Sequence, residues 1–95
     1  MPRIKRSSIE NLRQRVSLLD VVSPYTQMKR AGAQFRGLSP FNAEKTPSFY
    51  IHPEKNVFYD YSSGSAGDLF RFVQLKENIE FYEAIELLAD RFSVP

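Results

Sequence analysis

An α+β fold is what this sequence predicts: an antiparallel β-sheet flanked by N- and C-terminal helices in one small domain. Three observations predict it. Apolar residues recur at helical intervals in the first and last parts of the chain. Between them lie short, aromatic-rich strand segments. Glycine, proline, serine and asparagine punctuate those segments.

The first helix is read over residues 8–16, where Ser7 and Glu10 have capping-box spacing and Ile9, Leu12 and Val16 follow with helical periodicity. Ser17 and Asp20 repeat the box and open a short helix that Pro24 should end. Residues 25–30 and 33–38 flank Ala31-Gly32, a hairpin signal. A loop of turn formers spans residues 39–47. Two aromatic strands follow, 48–52 and 57–61, joined by Pro53-Glu54-Lys55-Asn56. Residues 62–67 read as a second tight loop, so the sheet is expected to have four strands. Ser65 and Asp68 have capping-box spacing ahead of an apolar stripe at Leu69, Phe72 and Val73. Phe81, Ala84, Ile85, Leu88 and Phe92 mark the last helix, over about 81–92, whose carboxylates Glu80, Glu83, Glu86 and Asp90 form its solvated face. Leu38, Phe49, Ile51, Leu69, Phe72, Ile85 and Leu88 are the core candidates.

At 95 residues the chain makes one domain, with a thin stability margin unless something staples it. The absence of cysteine excludes disulfides and thiolate metal sites as that staple. No apolar run reaches membrane-spanning length, and the basic start MPRIKRSSIE lacks the apolar stretch of a secretory signal, so a cytoplasmic location without membrane contact is the expectation. The net charge of +2 hides an asymmetry: residues 1–36 carry a balance of +6 and residues 37–95 a balance of −4. That pattern fits a solvated surface as well as a phosphate-binding face.

No catalytic constellation is visible: no nucleophile elbow, no serine with histidine and aspartate partners, and no phosphate-cradling glycine motif. The single histidine, His52, has no second histidine or cysteine with which to ligate a metal.

The informative strings are GLSPFNAEKTPSF at 37–49 and PEKNVFYDYSSGSAGDLFRF at 53–72. They closely resemble the zinc-ribbon module that opens bacterial DnaG-type DNA primases, whose pattern is approximately GLCPFH-x-EKTPSF, a spacer, a C-x-x-C pair and GDxxxF. The resemblance also follows the upstream run from Ile9 through Lys29, Arg30, Gly32, Phe35 and Gly37, so it covers nearly the whole chain. What it implies is a zinc-ribbon-like module that recognises single-stranded DNA template and supports RNA primer synthesis by a separate polymerase domain. It implies a non-catalytic part of a nucleotidyltransferase, an N-terminal piece that a linker continues. The implied partners are single-stranded template, the primase RNA polymerase domain and, through the full-length protein, a replicative helicase.

The chain departs from the family at the metal. The four ligand positions fall on Ser39, Asn42, Asp60 and Ser63, with two residues inside each pair and seventeen between the pairs. Hydroxyls and an amide are poor zinc ligands, and one carboxylate does not make up the deficit, so no metal or other cofactor is expected. A polar cluster is expected instead, with Asp60 accepting from Ser39 and Ser63 and Asn42 donating. Each such bond contributes about 0.5–1.5 kcal/mol net, so the apolar core should carry most of the stability.

The DNA-binding candidates are Lys29, Arg30, Arg36, Lys45, Lys55, Tyr59 and Tyr61. Alternation along a strand puts Tyr50 and His52 opposite Phe49 and Ile51, and puts Tyr59 with Tyr61. Strands this aromatic form cores as well as ligand platforms. Single-stranded DNA requires rings for base stacking and cations for phosphates, and this region offers both. The alternative function is a zinc-free protein-interaction domain that docks the polymerase domain or another replication protein without touching DNA.

Overall fold

The computed structural model describes residues 6–43 and 45–94. Glu44, inside the matched EKTPSF string, and residues 1–5 lie outside the described residues. In chain order the elements are α1 (Arg6–Arg15), α2 (Leu18–Val22), β1 (Met28–Ala31), β2 (Gln34–Gly37), β3 (Phe49–His52), β4 (Val57–Asp60), β5 (Ser65–Gly67), α3 (Leu69–Glu77) and α4 (Phe81–Arg91). The strands form one antiparallel sheet in the order β1-β2-β3-β4-β5.

The sheet has five strands rather than the four expected. Ser65–Gly67 was expected to be loop, because serine, alanine and glycine have weak strand preference. It pairs with β4 through Phe58↔Gly67, Tyr59↔Ala66 and Asp60↔Ser65. The capping box expected at Ser65 gives way accordingly: Asp68 is the N-cap of α3, its carboxylate accepting the Arg71 N–H at 3.0 Å. Ser7 lies within α1 rather than ahead of it. Ser17 does cap α2, its hydroxyl accepting the Leu19 N–H at 3.2 Å. Glu83 accepts the Glu80 N–H at 2.9 Å and so helps close the N-terminus of α4 instead of merely facing water.

One face of the sheet packs on the helices. Phe49, Ile51 and Phe58 are buried there with Leu12, Leu18, Leu69, Phe72, Val73, Ile85 and Leu88. Phe41, Phe49, Phe58 and Phe72 form a mutual ring cluster with centroids 5.3–6.0 Å apart, a geometry that adds to the burial of their area. Leu38, expected in the core, is 42% exposed, because it lies just past the end of β2 and its alternation points it outward. Its neighbour Gly37 is buried between strands. A Cβ there would stand 2.6 Å from the Gln27 carbonyl oxygen and 2.7 Å from the Met28 sulfur, so only glycine lets β1 and β2 close.

Asn56 fixes the turn between β3 and β4. Its backbone is left-handed (φ 57°), and its side chain accepts the Leu18 N–H at 2.8 Å and donates to the Val16 carbonyl at 3.0 Å. The turn that carries Lys55 is therefore tied to the junction of α1 and α2. No helix among the described residues is long and apolar enough to cross a membrane.

Candidate functional site

Two groups of the expected residues occupy opposite sides of the sheet. The first is the polar cluster. Asp60 ends β4 on the core-facing side, paired across the ladder with Phe49, and is fully buried. The Ser39 and Ser63 hydroxyls donate to its Oδ2 at 2.7 and 2.8 Å. Its Oδ1 accepts from the Ser62 hydroxyl at 2.7 Å, the Ser62 N–H at 3.1 Å and, at 3.5 Å, the Ser48 hydroxyl. Burial pushes the carboxyl up, but the hydroxyl bonds from Ser39, Ser62 and Ser63 and the Ser62 N–H outweigh it and hold the group below its ordinary value.

The serines also organise the two turns. Ser39 Oγ accepts the N–H groups of Phe41 and Asn42, and Ser63 Oγ accepts that of Ser65. Asn42 does not reach Asp60. Its amide donates to Ser62 Oγ at 3.1 Å, so it joins the cluster one hydroxyl removed. The family resemblance marked Ser39, Asn42, Asp60 and Ser63 as the ligand positions; Ser62 and Ser48, which match no ligand position, were missed and join the cluster only in the fold.

This set does not fit zinc. It holds no thiolate or imidazole, and the single carboxylate spends its roughly four acceptor sites on serine and backbone donors. Among the described residues no three histidine, cysteine, aspartate or glutamate side chains converge on a point where a metal could sit.

The second group lies on the outer face. Cross-strand pairing aligns Lys29 with Arg36, Arg36 with Tyr50, Tyr50 with Tyr59 and Tyr59 with Ala66. Two cations thus continue into two aromatics along one line across the sheet. Tyr61 extends the aromatic end: its ring centroid is 5.5 Å from that of Tyr50 and 4.5 Å from that of Tyr59. Tyr59 is 45% and Tyr61 69% exposed, an unusual state for large rings on a sheet whose other face holds the core. Lys29 and Arg36 stand directly opposite each other, a like-charge pairing that destabilises a sheet, and among the described residues neither has an ion-pair partner.

A groove of about 450 Å³ opens beside the tyrosines, with His52, Lys55 and Gln34 on its wall. Tyr50 and His52 therefore join the face, alongside the candidates Lys55, Tyr59 and Tyr61. Arg30 does not. One residue on from Lys29, it pairs with Phe35 and turns to the other side of the strand, its guanidinium 5.2 Å from the Phe35 ring and its Nε donating to the Gly32 carbonyl at 3.1 Å. Lys45 is exposed on the loop between β2 and β3, outside the aligned row.

The CHC2 zinc finger family matches residues 4–95. The DNA primase of Thermotoga maritima is 38% identical over 91 residues, covering 96% of this chain and 16% of the primase. That of Mycolicibacterium smegmatis is 44% identical over 90 residues, covering 94% of this chain and 14% of the primase. The crystal structure of the Aquifex aeolicus primase zinc-binding and RNA polymerase domains aligns with a TM-score of 0.84 at 36% identity, over 93% of this chain and 22% of that one. The chain therefore spans only 14–16% of the length of these curated relatives. With its five-stranded sheet and its two turns meeting at Asp60, the chain belongs to the CHC2 zinc finger family, the zinc ribbon of DnaG-type primases.

Proposed function

We propose that this domain recognises single-stranded DNA template for a primase, holding the strand on its outer sheet face while a separate polymerase domain synthesises the RNA primer. The observation that carries the reading is the aligned row of Lys29, Arg36, Tyr50 and Tyr59. Two opposed cations without an ion-pair partner among the described residues suit a polyanion, and exposed rings beside them suit unpaired bases. Lys55 adds a third cation at the groove. Lys45 remains a candidate contact from its exposed loop. The domain acts as a recognition unit without chemistry of its own, within a protein whose further partners are the polymerase domain and a replicative helicase.

The test is a titration of this chain with single-stranded oligodeoxynucleotides across a range of salt. Affinity should fall as salt rises, with a log–log slope of about −0.7 per phosphate contacted. The isolated domain should bind at about micromolar affinity or weaker, because few contacts must offset the ordering of a flexible strand. Absence of salt-dependent binding would favour a domain that docks other replication proteins only.

The reading includes a metal-free fold. Elemental analysis of the purified chain should find far less than one zinc per molecule, and a chelator should leave its urea unfolding midpoint unchanged. One tightly held zinc per chain, or unfolding on chelation, would contradict the Asp60 cluster as a replacement for the ion.

A further inference from the structure

We infer that the groove beside Tyr59 is a subsite for one unpaired nucleobase, and that His52 reads that base's edge. The inference rests on the single-stranded DNA reading and deepens it. The groove, about 450 Å³, lies within the range of about 300–1,000 Å³ typical of small-ligand pockets, so it has room for a base with part of its sugar. Tyr50, Tyr59 and Tyr61 form one aromatic wall, and every base has a face that stacks on such a wall. Lys55, on the groove's rim, and Arg36, paired across the ladder with Tyr50, place cations where the sugar–phosphate backbone leaves the pocket.

Stacking does not distinguish bases; a hydrogen-bonding group does. Besides Lys55 and the tyrosine hydroxyls, His52 and Gln34 are the polar side chains on this wall. His52 is oriented by its own turn: its Nδ1 accepts the Lys55 N–H at 3.4 Å. A neutral imidazole whose Nδ1 accepts must carry its proton on Nε2. With Nδ1 facing its own turn, Nε2 is the ring nitrogen left to donate to a carbonyl or ring-nitrogen acceptor on a base edge. The same turn is anchored by Asn56 to the helical layer, which holds the donor in place before a strand arrives.

Three variants of this chain separate base reading from turn stability. In His52→Gln the side-chain amide nitrogen falls near the position of Nε2 and keeps a donor toward the groove. In His52→Asn the side-chain oxygen falls near Nδ1 and keeps the acceptor for Lys55 while losing the donor. His52→Ala loses both. Binding is measured by fluorescence anisotropy to dA, dC, dG and dT homopolymers and to one oligonucleotide with a central abasic site. Wild-type protein should rank the four homopolymers and should lose roughly 5- to 150-fold on the abasic strand if one stacked base is removed. His52→Gln should keep the ranking, whereas His52→Asn and His52→Ala should flatten it with the salt slope unchanged. If His52→Asn keeps the wild-type ranking, His52 only supports the turn and the subsite assignment is wrong. If wild-type protein shows salt-dependent binding but no base ranking and no abasic penalty, the subsite fails while the DNA reading stands. If wild-type protein binds no single-stranded DNA, both fail together.

Discussion

Replacing Asp60 with alanine is expected to destabilise this domain by more than about 3 kcal/mol, because hydrogen bonds to a charged group contribute roughly 1.5–3 kcal/mol each and several are lost at once. The substitution leaves the hydroxyls of Ser39, Ser62 and Ser63 and the Ser62 N–H without their acceptor at a buried site across the ladder from Phe49. A domain of this length has about 5–15 kcal/mol of stability in total, so the loss is a large share of it. Asp60→Asn keeps the shape and one acceptor oxygen but turns an amide donor toward serine donors, and should cost an intermediate amount, about 1–3 kcal/mol. Urea unfolding followed by circular dichroism measures both.

The same experiment across pH tests the electrostatic account. Hydrogen bonds hold the folded Asp60 carboxyl below its ordinary value despite burial, whereas in the unfolded chain it titrates near about 3.9. A group depressed in the folded state contributes its full stabilisation above the unfolded value and loses it as pH falls through the folded one. The wild-type unfolding midpoint should therefore decline from about pH 4 downward, and the Asn variant should decline less. An Asp60→Ala variant within about 0.5 kcal/mol of wild type, the range of a neutral surface change, would mean that the phenylalanine cluster alone holds the two turns together.

How far the sequence reveals this arrangement depends on which force decides each residue. Alternation places Tyr59 and Tyr61 outward and Phe58 with Asp60 inward, because a strand with one buried face tolerates no slip in register. The resemblance to the zinc ribbon marks Ser39 and Ser63 as neighbours of Asp60, and the two turns do bring their hydroxyls to its carboxylate. Local patterns are weaker where tertiary pairing decides. Ser65-Ala66-Gly67 has little strand preference of its own and becomes β5 because β4 offers it an open ladder. Leu38 is apolar enough for a core but sits beyond the last paired residue of β2, and Thr26 bonds to its carbonyl rather than its side chain meeting the helices. Arg30 was grouped with Lys29 and Arg36 by charge, yet a one-residue step along a strand reverses the face. Ser62 carries no motif at all; only the fold shows it bonded to Asp60 twice.

That reversal at Arg30 makes the sharpest test of the DNA-binding face. Lys29→Ala with Arg36→Ala should weaken binding to every single-stranded sequence and reduce the salt slope by about 1.4, the value for two lost phosphate contacts. Tyr59→Ala should instead remove about 1–3 kcal/mol of binding with little change in that slope, because stacking releases no counterions. Arg30→Ala has the same charge change as Arg36→Ala and lies six residues from it in sequence. Its guanidinium lies over Phe35 on the other side of the strand, so binding and slope should stay close to wild type. All the variants alter exposed side chains and should keep the wild-type circular dichroism spectrum, Tyr59 included, since it packs on Tyr61 outside the core. Equal losses from Arg30→Ala and Arg36→Ala would show that the strand follows net charge rather than this face, and the row from Lys29 to Tyr59 would then be solvated surface. A loss confined to Lys29, Arg36 and Tyr59 follows only if the phosphates and bases lie along the line that cross-strand pairing draws over the sheet.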